Sequence, residues 1–228
     1  MPHDSSSTMT PADTPPEPTD SRPPSGRRSA SVRQEQLIEI ALRFFARKGY
    51  EGTSLRDIAQ EARITKAALY YHFPNKEALY ERIVVSGMQA LLDCVAEPVA
   101  TARTGEAAVQ GFMLASADYL DRSRDSWIAS SNAFWSGYEA APRGSAVTLR
   151  DAYEGLLRRC IVQAVSEGAF RPVDTAMAGR MLLSMLNHIS RWHSRAGPLT
   201  TRQVIEQYLD FALGGLRVQS PQSSVTPA

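Results

Sequence analysis

The chain has 228 residues, is 43% hydrophobic and carries a formal net charge of +1. That length allows one large domain or two small ones, and that composition is ordinary for a globular protein with a packed core. A near-neutral balance argues neither for nor against nucleic acid as a partner, so any basic surface must come from placement.

The first 30 residues are mostly Pro, Ser and Thr, followed by Arg27 and Arg28. They lack a periodic apolar face and read as a disordered arm, residues 1–30. The N-terminus also lacks the apolar core of a signal peptide, and no uninterrupted apolar run approaches the roughly 20 residues that span a bilayer. A cytoplasmic location is therefore expected. Cys94 and Cys160 sit far apart in apolar helical stretches and read as buried free thiols.

Beyond the arm the chain reads as helix after helix. Ser31 is placed to cap a first helix with Leu37, Ile40, Ala41, Phe44 and Phe45 on one stripe, ended by Lys48 and Gly49. A short second helix follows Thr53 and Ser54, and a third starts at Thr65 and covers Lys66 to about His72. Asn75 caps a fourth, which Pro98 is expected to close. Further helices are predicted near Gly105–Arg122, Asp125–Tyr138, Ser145–Glu167, Asp174–His193 and Thr200–Leu216. The breaks fall at Ser123 and Arg124, at Pro142, Arg143 and Gly144, at Gly168 with Pro172, and at Gly197 and Pro198. No stretch alternates with a period of two, so the fold class is all-α. A disordered tail is expected over residues 218–228.

The informative segment is TSLRDIAQEARITKAALYYHFPNKEALY, from Thr53 to Tyr80. Two short helices are joined by a tight turn at Ala62, Arg63 and Ile64. Leu55, Ile58 and Ala59 face inward from the first helix, and Ile64, Ala68 and Leu69 from the second. This is the layout of a helix-turn-helix, whose second helix enters the DNA major groove. Its outward face presents Thr65, Lys66, Ala67, Tyr70, Tyr71 and His72. Thr65 and Lys66 stand at the helix N-terminus, where backbone N–H groups favour a phosphate. The tyrosines offer hydroxyls to phosphates and rings to sugars or thymine methyls. His72 suits either a DNA contact or a helix cap. Thr53, Arg56 and Lys76 are candidate phosphate contacts. Arg27, Arg28 and Arg33 form either a minor-groove arm or a solvated tail.

The stretch from Ile38 to Tyr80 resembles the DNA-binding domain of the TetR (tetracycline repressor-like) family. The landmarks are Ala41, Phe44-Phe45, Gly49-Tyr50, Thr53-Ser54, Ile58-Ala59, Lys66, Leu69 through Phe73, and Lys76 through Leu79. The resemblance implies a homodimer of nine-helix or ten-helix subunits, with a DNA-binding head over residues 31–80. A ligand-binding and dimerisation domain would follow over residues 81–217. One position departs. Arg63 stands where the family usually has glycine, and a left-handed backbone there strains any other residue by roughly 1 kcal/mol or more. Arg63 could itself reach a phosphate.

The last two predicted helices carry broad apolar faces. One has Met181, Met185, His188 and Trp192 with Leu182 and Ile189. The other has Val204, Ile205, Tyr208, Leu209, Phe211, Ala212 and Leu216. Paired across a two-fold axis they would make a four-helix bundle, and otherwise they complete the core of one subunit. Aromatic residues crowd the middle of the chain, and Trp127, Phe134, Trp135 and Tyr138 are candidates to line an effector cavity. The segment Leu182 to Leu216 resembles the C-terminal part of TetR-like regulators that answer to acyl-CoA thioesters. In that reading Arg191, Trp192 and Arg195 would hold an anionic, ring-bearing ligand.

Other chemistry finds little footing. His188 and His193 are five residues apart and do not share a helix face, so no metal site is expected. No phosphate-binding glycine loop, dinucleotide fingerprint or nucleophile elbow occurs, and no cofactor or enzymatic activity is expected. A near-palindromic operator, a second copy of the chain and a small-molecule effector are the expected partners. A repressor released by its effector is the function those partners imply. A helical assembly or ligand-binding protein with a relic DNA motif remains the alternative.

Overall fold

The computed structural model describes residues 25–135 and 144–218, with side chains from Arg33 to Phe134 and from Gly144 onward. Among them run nine helices: α1 (Ser25–Lys48), α2 (Leu55–Glu61), α3 (Lys66–His72), α4 (Lys76–Thr101), α5 (Gly105–Arg122), α6 (Arg124–Trp135), α7 (Ser145–Ser166), α8 (Thr175–Trp192) and α9 (Thr201–Leu216). No strand occurs among the described residues, only an isolated antiparallel bridge between Phe170 and Arg217. Most of the predicted arm, the tail beyond Val218, and the break at Pro142 and Arg143 lie outside the described residues. So does the predicted end of the helix at Tyr138.

Two helix ends differ from expectation. α1 starts at Ser25 rather than behind a cap at Ser31. Past Pro23 and Pro24 only Gly26 disfavours a helix, and Arg27, Arg28 and Ala30 favour one. α4 does not stop at Pro98 but runs to Thr101. Proline so near the helix end removes a single bond, the one to the Cys94 carbonyl. Gly111 on α5 makes room for its ring, since a Cβ there would stand 3.2 Å from the Pro98 Cβ.

Side chains close most of the other ends. Ser54, Thr65, Asn75 and Thr104 each accept a hydrogen bond from the backbone N–H three residues on, which satisfies one orphan donor of the first turn. Asp174 accepts two such bonds before α8, and Thr200 with Gln203 forms a full capping box before α9.

α1, α2 and α3 form a small head. Leu37, Ala41 and Phe45 from α1 close over Leu55 and Ile58 from α2, Leu69 from α3, and Leu79 from the start of α4. Burying side chains of this size contributes roughly 1.5–3 kcal/mol each. Three aromatic rings set the angle at which α4 leaves the head. The Phe45 and Tyr80 centroids lie 4.8 Å apart, those of Tyr50 and Tyr80 4.9 Å apart. The Tyr50 hydroxyl donates to Glu77 Oε1 at 2.8 Å, and Lys76 Nζ stands 4.0 Å from the Tyr50 ring centre. Burial, then the bond to Glu77, raises the Tyr50 pKa, so its hydroxyl keeps its proton.

The other helices form a body around α5, which packs against α4, α6, α7, α8 and α9. α4 has the length and mean hydropathy to cross a bilayer, a property that counting uninterrupted runs missed. Here it packs against α5, α6 and α7. Head and body meet through α4 and through contact of α1 with α6. Both cysteines are free; Cys160 is buried and Cys94 half-buried.

The tightest crossing is at the start of α5. Gly105 N–H donates to Glu167 Oε2 at 2.7 Å. A Cβ on Gly105 would stand 2.2 Å from the Ala164 nitrogen, which is backbone and has little freedom to yield. Gly105→Ala is expected to destabilise the protein by about 1–3 kcal/mol through overpacking. Urea unfolding checks this, and a midpoint equal to that of the parent chain would show that α7 moves aside freely.

Candidate nucleic-acid interface and effector cavity

The turn between α2 and α3 is a Schellman motif. Arg63 N–H donates to the Gln60 carbonyl at 3.1 Å, and Ile64 N–H to the Ala59 carbonyl at 3.0 Å. Arg63 takes a left-handed conformation with φ of 53°, the conformation that favours glycine. The turn keeps its geometry and Arg63 carries the strain. Arg33 Nη2 on α1 braces the same turn by donating to the Ala62 carbonyl at 3.1 Å. Arg33 is therefore part of the head rather than of a free arm, while the Arg27 and Arg28 side chains lie outside the described residues.

α3 points outward as its sequence predicts. Lys66, Ala67, Tyr70 and Tyr71 are exposed, Tyr71 to 87%. Such exposure leaves the ring available to a partner. Lys66 Nζ lies 5.4 Å from the Tyr70 ring centre, which aligns cation and ring on one face. Thr65 caps the helix through its oxygen, and its hydroxyl proton remains a donor. Arg56 is exposed on α2. His72 is half-buried and meets Tyr71 edge-on at 5.4 Å. Lys76 is half-buried over Tyr50, with its charge at the α4 N-terminus.

Two residues depart from the expected pattern. Thr53 is 2% exposed and its hydroxyl donates to the Gly49 carbonyl at 2.8 Å. The turn consumes that side chain, so Thr53 leaves the set of phosphate contacts. Ala68 is exposed rather than inward. Leu69 is the residue that α3 buries.

In the body, a cavity of about 260 Å³ opens between α4, α5, α6, α7 and α8. Trp127 and Phe134 line it as expected, alongside Gly87, Ser130, Arg150 and Asn187. The Trp135 side chain and Tyr138 lie outside the described residues. Arg150 stands over the Phe134 ring at 5.1 Å and forms ion pairs with Asp151 and Glu154, putting mixed charge beside apolar surface. Tyr119 donates to the Gly87 carbonyl at 3.0 Å. Tyr153 and Ser116 share a hydrogen bond of 2.7 Å. Burial raises the pKa of both tyrosines, so they act as neutral hydrogen-bonding groups.

The second group of ligand candidates separates from the first. Arg191 lines a neighbouring, more polar cavity of about 280 Å³ with His188 and Asn132. Trp192 and Arg195 are exposed and line neither of these two cavities. His193 is buried, with Nε2 at 2.7 Å from the Leu199 carbonyl oxygen. Sequence reasoning missed Gly87, Ser130, Arg150 and Asn187.

Residues 37–83 match the family model "Bacterial regulatory proteins, tetR family", and residues 106–216 match "Tetracyclin repressor-like, C-terminal domain". The TetR-family regulator PfmR from Thermus thermophilus superposes with a TM-score of 0.71 at 34% identity, covering 80% of this chain and 100% of its own. This chain belongs to the TetR family of transcriptional regulators. Such a protein is a DNA-binding regulator and not an enzyme, and its helix-turn-helix is α2 with α3. The HTH-type transcriptional repressor KstR2 of Rhodococcus jostii is 29% identical over 205 residues, 89% of this regulator and 97% of the relative. The structure of AibR in complex with isovaleryl coenzyme A and operator DNA is similar at 28% identity and a TM-score of 0.72, covering 78% of this chain and 97% of its own.

The strained turn yields a direct test. Arg63→Gly is expected to raise the stability of this regulator by about 0.5–1 kcal/mol, because glycine adopts positive φ without steric cost. A urea midpoint that falls instead would mean that the Arg63 side chain stabilises the head by more than its backbone strains it.

Proposed function

We propose that this regulator is a homodimeric repressor that holds a near-palindromic operator through α3 and releases it when a small molecule fills the body cavity. The observation that carries this reading is the cavity wall. α4 and α6 both line it, and these helices are also the body's contacts with the head. The Tyr80 hydroxyl on α4 donates to the Ala129 carbonyl on α6 at 3.0 Å, which ties the two helices together beside the cavity. A ligand that favours one arrangement of this wall biases the position of the head. A few kcal/mol of differential affinity suffices to shift such an equilibrium. AibR, bound to a thioester and to DNA, supports an acyl-CoA-like or other apolar effector here.

On the DNA side, Lys66, Tyr70 and Tyr71 face the major groove, Thr65 and Arg56 reach phosphates, and Ala67 allows close approach to the bases. His72 and Lys76 flank that surface. Combining Lys66→Glu with Phe at both tyrosines is expected to weaken operator affinity at least tenfold at fixed salt, with the fold intact. Arg56→Ala alone is expected to reduce the slope of log affinity against log salt by about 1. Operator titrations by fluorescence anisotropy at several salt concentrations read both. Unchanged affinity would favour the relic-motif reading.

The dimer reading rests on α8 and α9. α8 is apolar on two sides. Leu182, Leu186 and Ile189 are buried within the subunit, whereas Met177, Met181 and Trp192 are exposed, Trp192 to 56%. On α9, Val204, Ile205, Leu209, Ala212 and Leu216 complete the subunit core, which leaves Phe211 exposed to 80%. Gly214 and Gly215 lie just beyond Phe211, exposed and with open space where a Cβ would stand. Burying these side chains against a second copy removes them from water. Met181→Glu with Phe211→Lys is expected to weaken the dimer at least tenfold and to abolish tight operator binding. Sedimentation equilibrium checks this, and an undisturbed dimer would move the interface elsewhere.

A further inference from the structure

Among the described residues, Arg63 is the one non-glycine residue with a positive φ. Glycine meets that backbone geometry without steric cost, so arginine carries a strain there that glycine would not. Strain of this kind persists where the surroundings over-determine it, and it clusters at functional sites. Three bonds hold this turn. Arg63 N–H donates to the Gln60 carbonyl, Ile64 N–H to the Ala59 carbonyl, and Arg33 Nη2 to the Ala62 carbonyl.

None of these bonds uses the Arg63 side chain. It is exposed, and it makes no hydrogen bond or ion pair with any described residue. The gain that offsets the strain is therefore not made inside the subunit. The position of Arg63 in the head says where it is made. Arg56, Gln60 and Arg63 are exposed at spacings of four and three, so they continue one outward stripe along α2 and into its turn. Glu61 is the nearest acid in sequence, but it adjoins Gln60 and so lies off that stripe. Arg56 and Arg63 are seven positions apart. At roughly 1.5 Å per residue that is about 10 Å of helix, close to the major-groove width of about 12 Å. In a helix-turn-helix the first helix crosses the DNA backbone while the second enters the groove. A first helix of this length with a cation at each end matches the two rows of phosphates that border that groove.

We propose that Arg63 is a phosphate-binding residue of the operator complex, meeting the DNA strand opposite the one that Arg56 meets. The strained turn holds it there, and the contact is one that glycine at this position cannot make. The inference rests on the reading above that α3 enters the major groove, and it adds a second anchor on the far side of that groove. A guanidinium suits the task because its planar N–H groups pair with two phosphate oxygens at once.

The test uses full-length variants and fluorescein-labelled duplexes: the sequence that the parent protein enriches from a random pool, and single-base variants of it. Anisotropy titrations at several salt concentrations give affinity and salt slope, and urea unfolding gives stability. Arg63→Gln keeps the backbone strain and removes the charge, Arg63→Lys keeps both, and Arg63→Gly removes both. The Gln and Gly variants are expected to bind roughly three- to tenfold more weakly, and to lose about one from the slope of log affinity against log salt. The Lys variant is expected to keep the slope. The loss should be the same factor on every duplex, because a phosphate contact carries no sequence information. Parent-like affinity and slope in Arg63→Gln, or a loss confined to some duplexes, overturns the inference. So does an Arg63→Gln urea midpoint well below the parent's, since the side chain would then act within the subunit. Arg56→Ala separates this inference from the reading beneath it. If Arg56→Ala weakens binding and Arg63→Gln does not, the second anchor alone falls. If neither changes binding, or the parent enriches no duplex, the DNA reading of the head falls with it.

Discussion

The contact of Phe45, Tyr50 and Tyr80 is the constraint on which the rest of the structure depends. It lies where α1, the turn after it and α4 converge, and so fixes how the head sits on the long helix of the body. Tilted aromatic contacts have a preferred geometry as well as an area to bury, which makes them better at setting an angle than aliphatic packing. Tyr80 extends the constraint into the body through its hydroxyl bond to Ala129 on α6. Head orientation and cavity wall therefore share one residue.

That sharing is what makes the molecule suited to switching. Close-packed interfaces do not deform continuously; they repack between discrete arrangements. On the proposed reading, a ligand in the cavity lies against α4 and α6, the helices that also meet the head. The body has cross-braces that resist general loosening. Arg124 donates to the Ser190 and His193 carbonyls at the end of α8, and Arg217 pairs with Glu106 across the start of α5. Exposed pairs such as Arg217 with Glu106 contribute little on their own, but the Arg124 bonds are partly buried and join α6 to the α8 terminus.

Much of the fold was legible because local chemistry determines it. Ser54, Thr65 and Asn75 and the glycine after α7 mark helix ends that the structure reproduces, since the orphan groups of a helix terminus are satisfied within a few residues. Pro98 misled because its effect depends on how near it lies to the helix end and on whether a neighbour gives way, here Gly111. Thr53 misled for a similar reason. A threonine before a helix suits a phosphate or the preceding carbonyl equally well, and only the path of the chain around Gly49 chose between them.

The sequence by itself determined the family, the all-α class, the helix-turn-helix and the outward face of α3. The last three follow from periodicity, capping and motif spacing, which act over a few turns of chain, and the family from the resemblance of its landmarks. Tertiary structure alone decided the cavity. Gly87, Ser130, Arg150 and Asn187 come from four different helices, and nothing in their local sequence says that they meet. It also divided the apolar faces of α8 and α9 into a part buried within the subunit and a part left exposed. A hydrophobic stripe records that a face avoids water, but which neighbour covers it is a property of the packed whole.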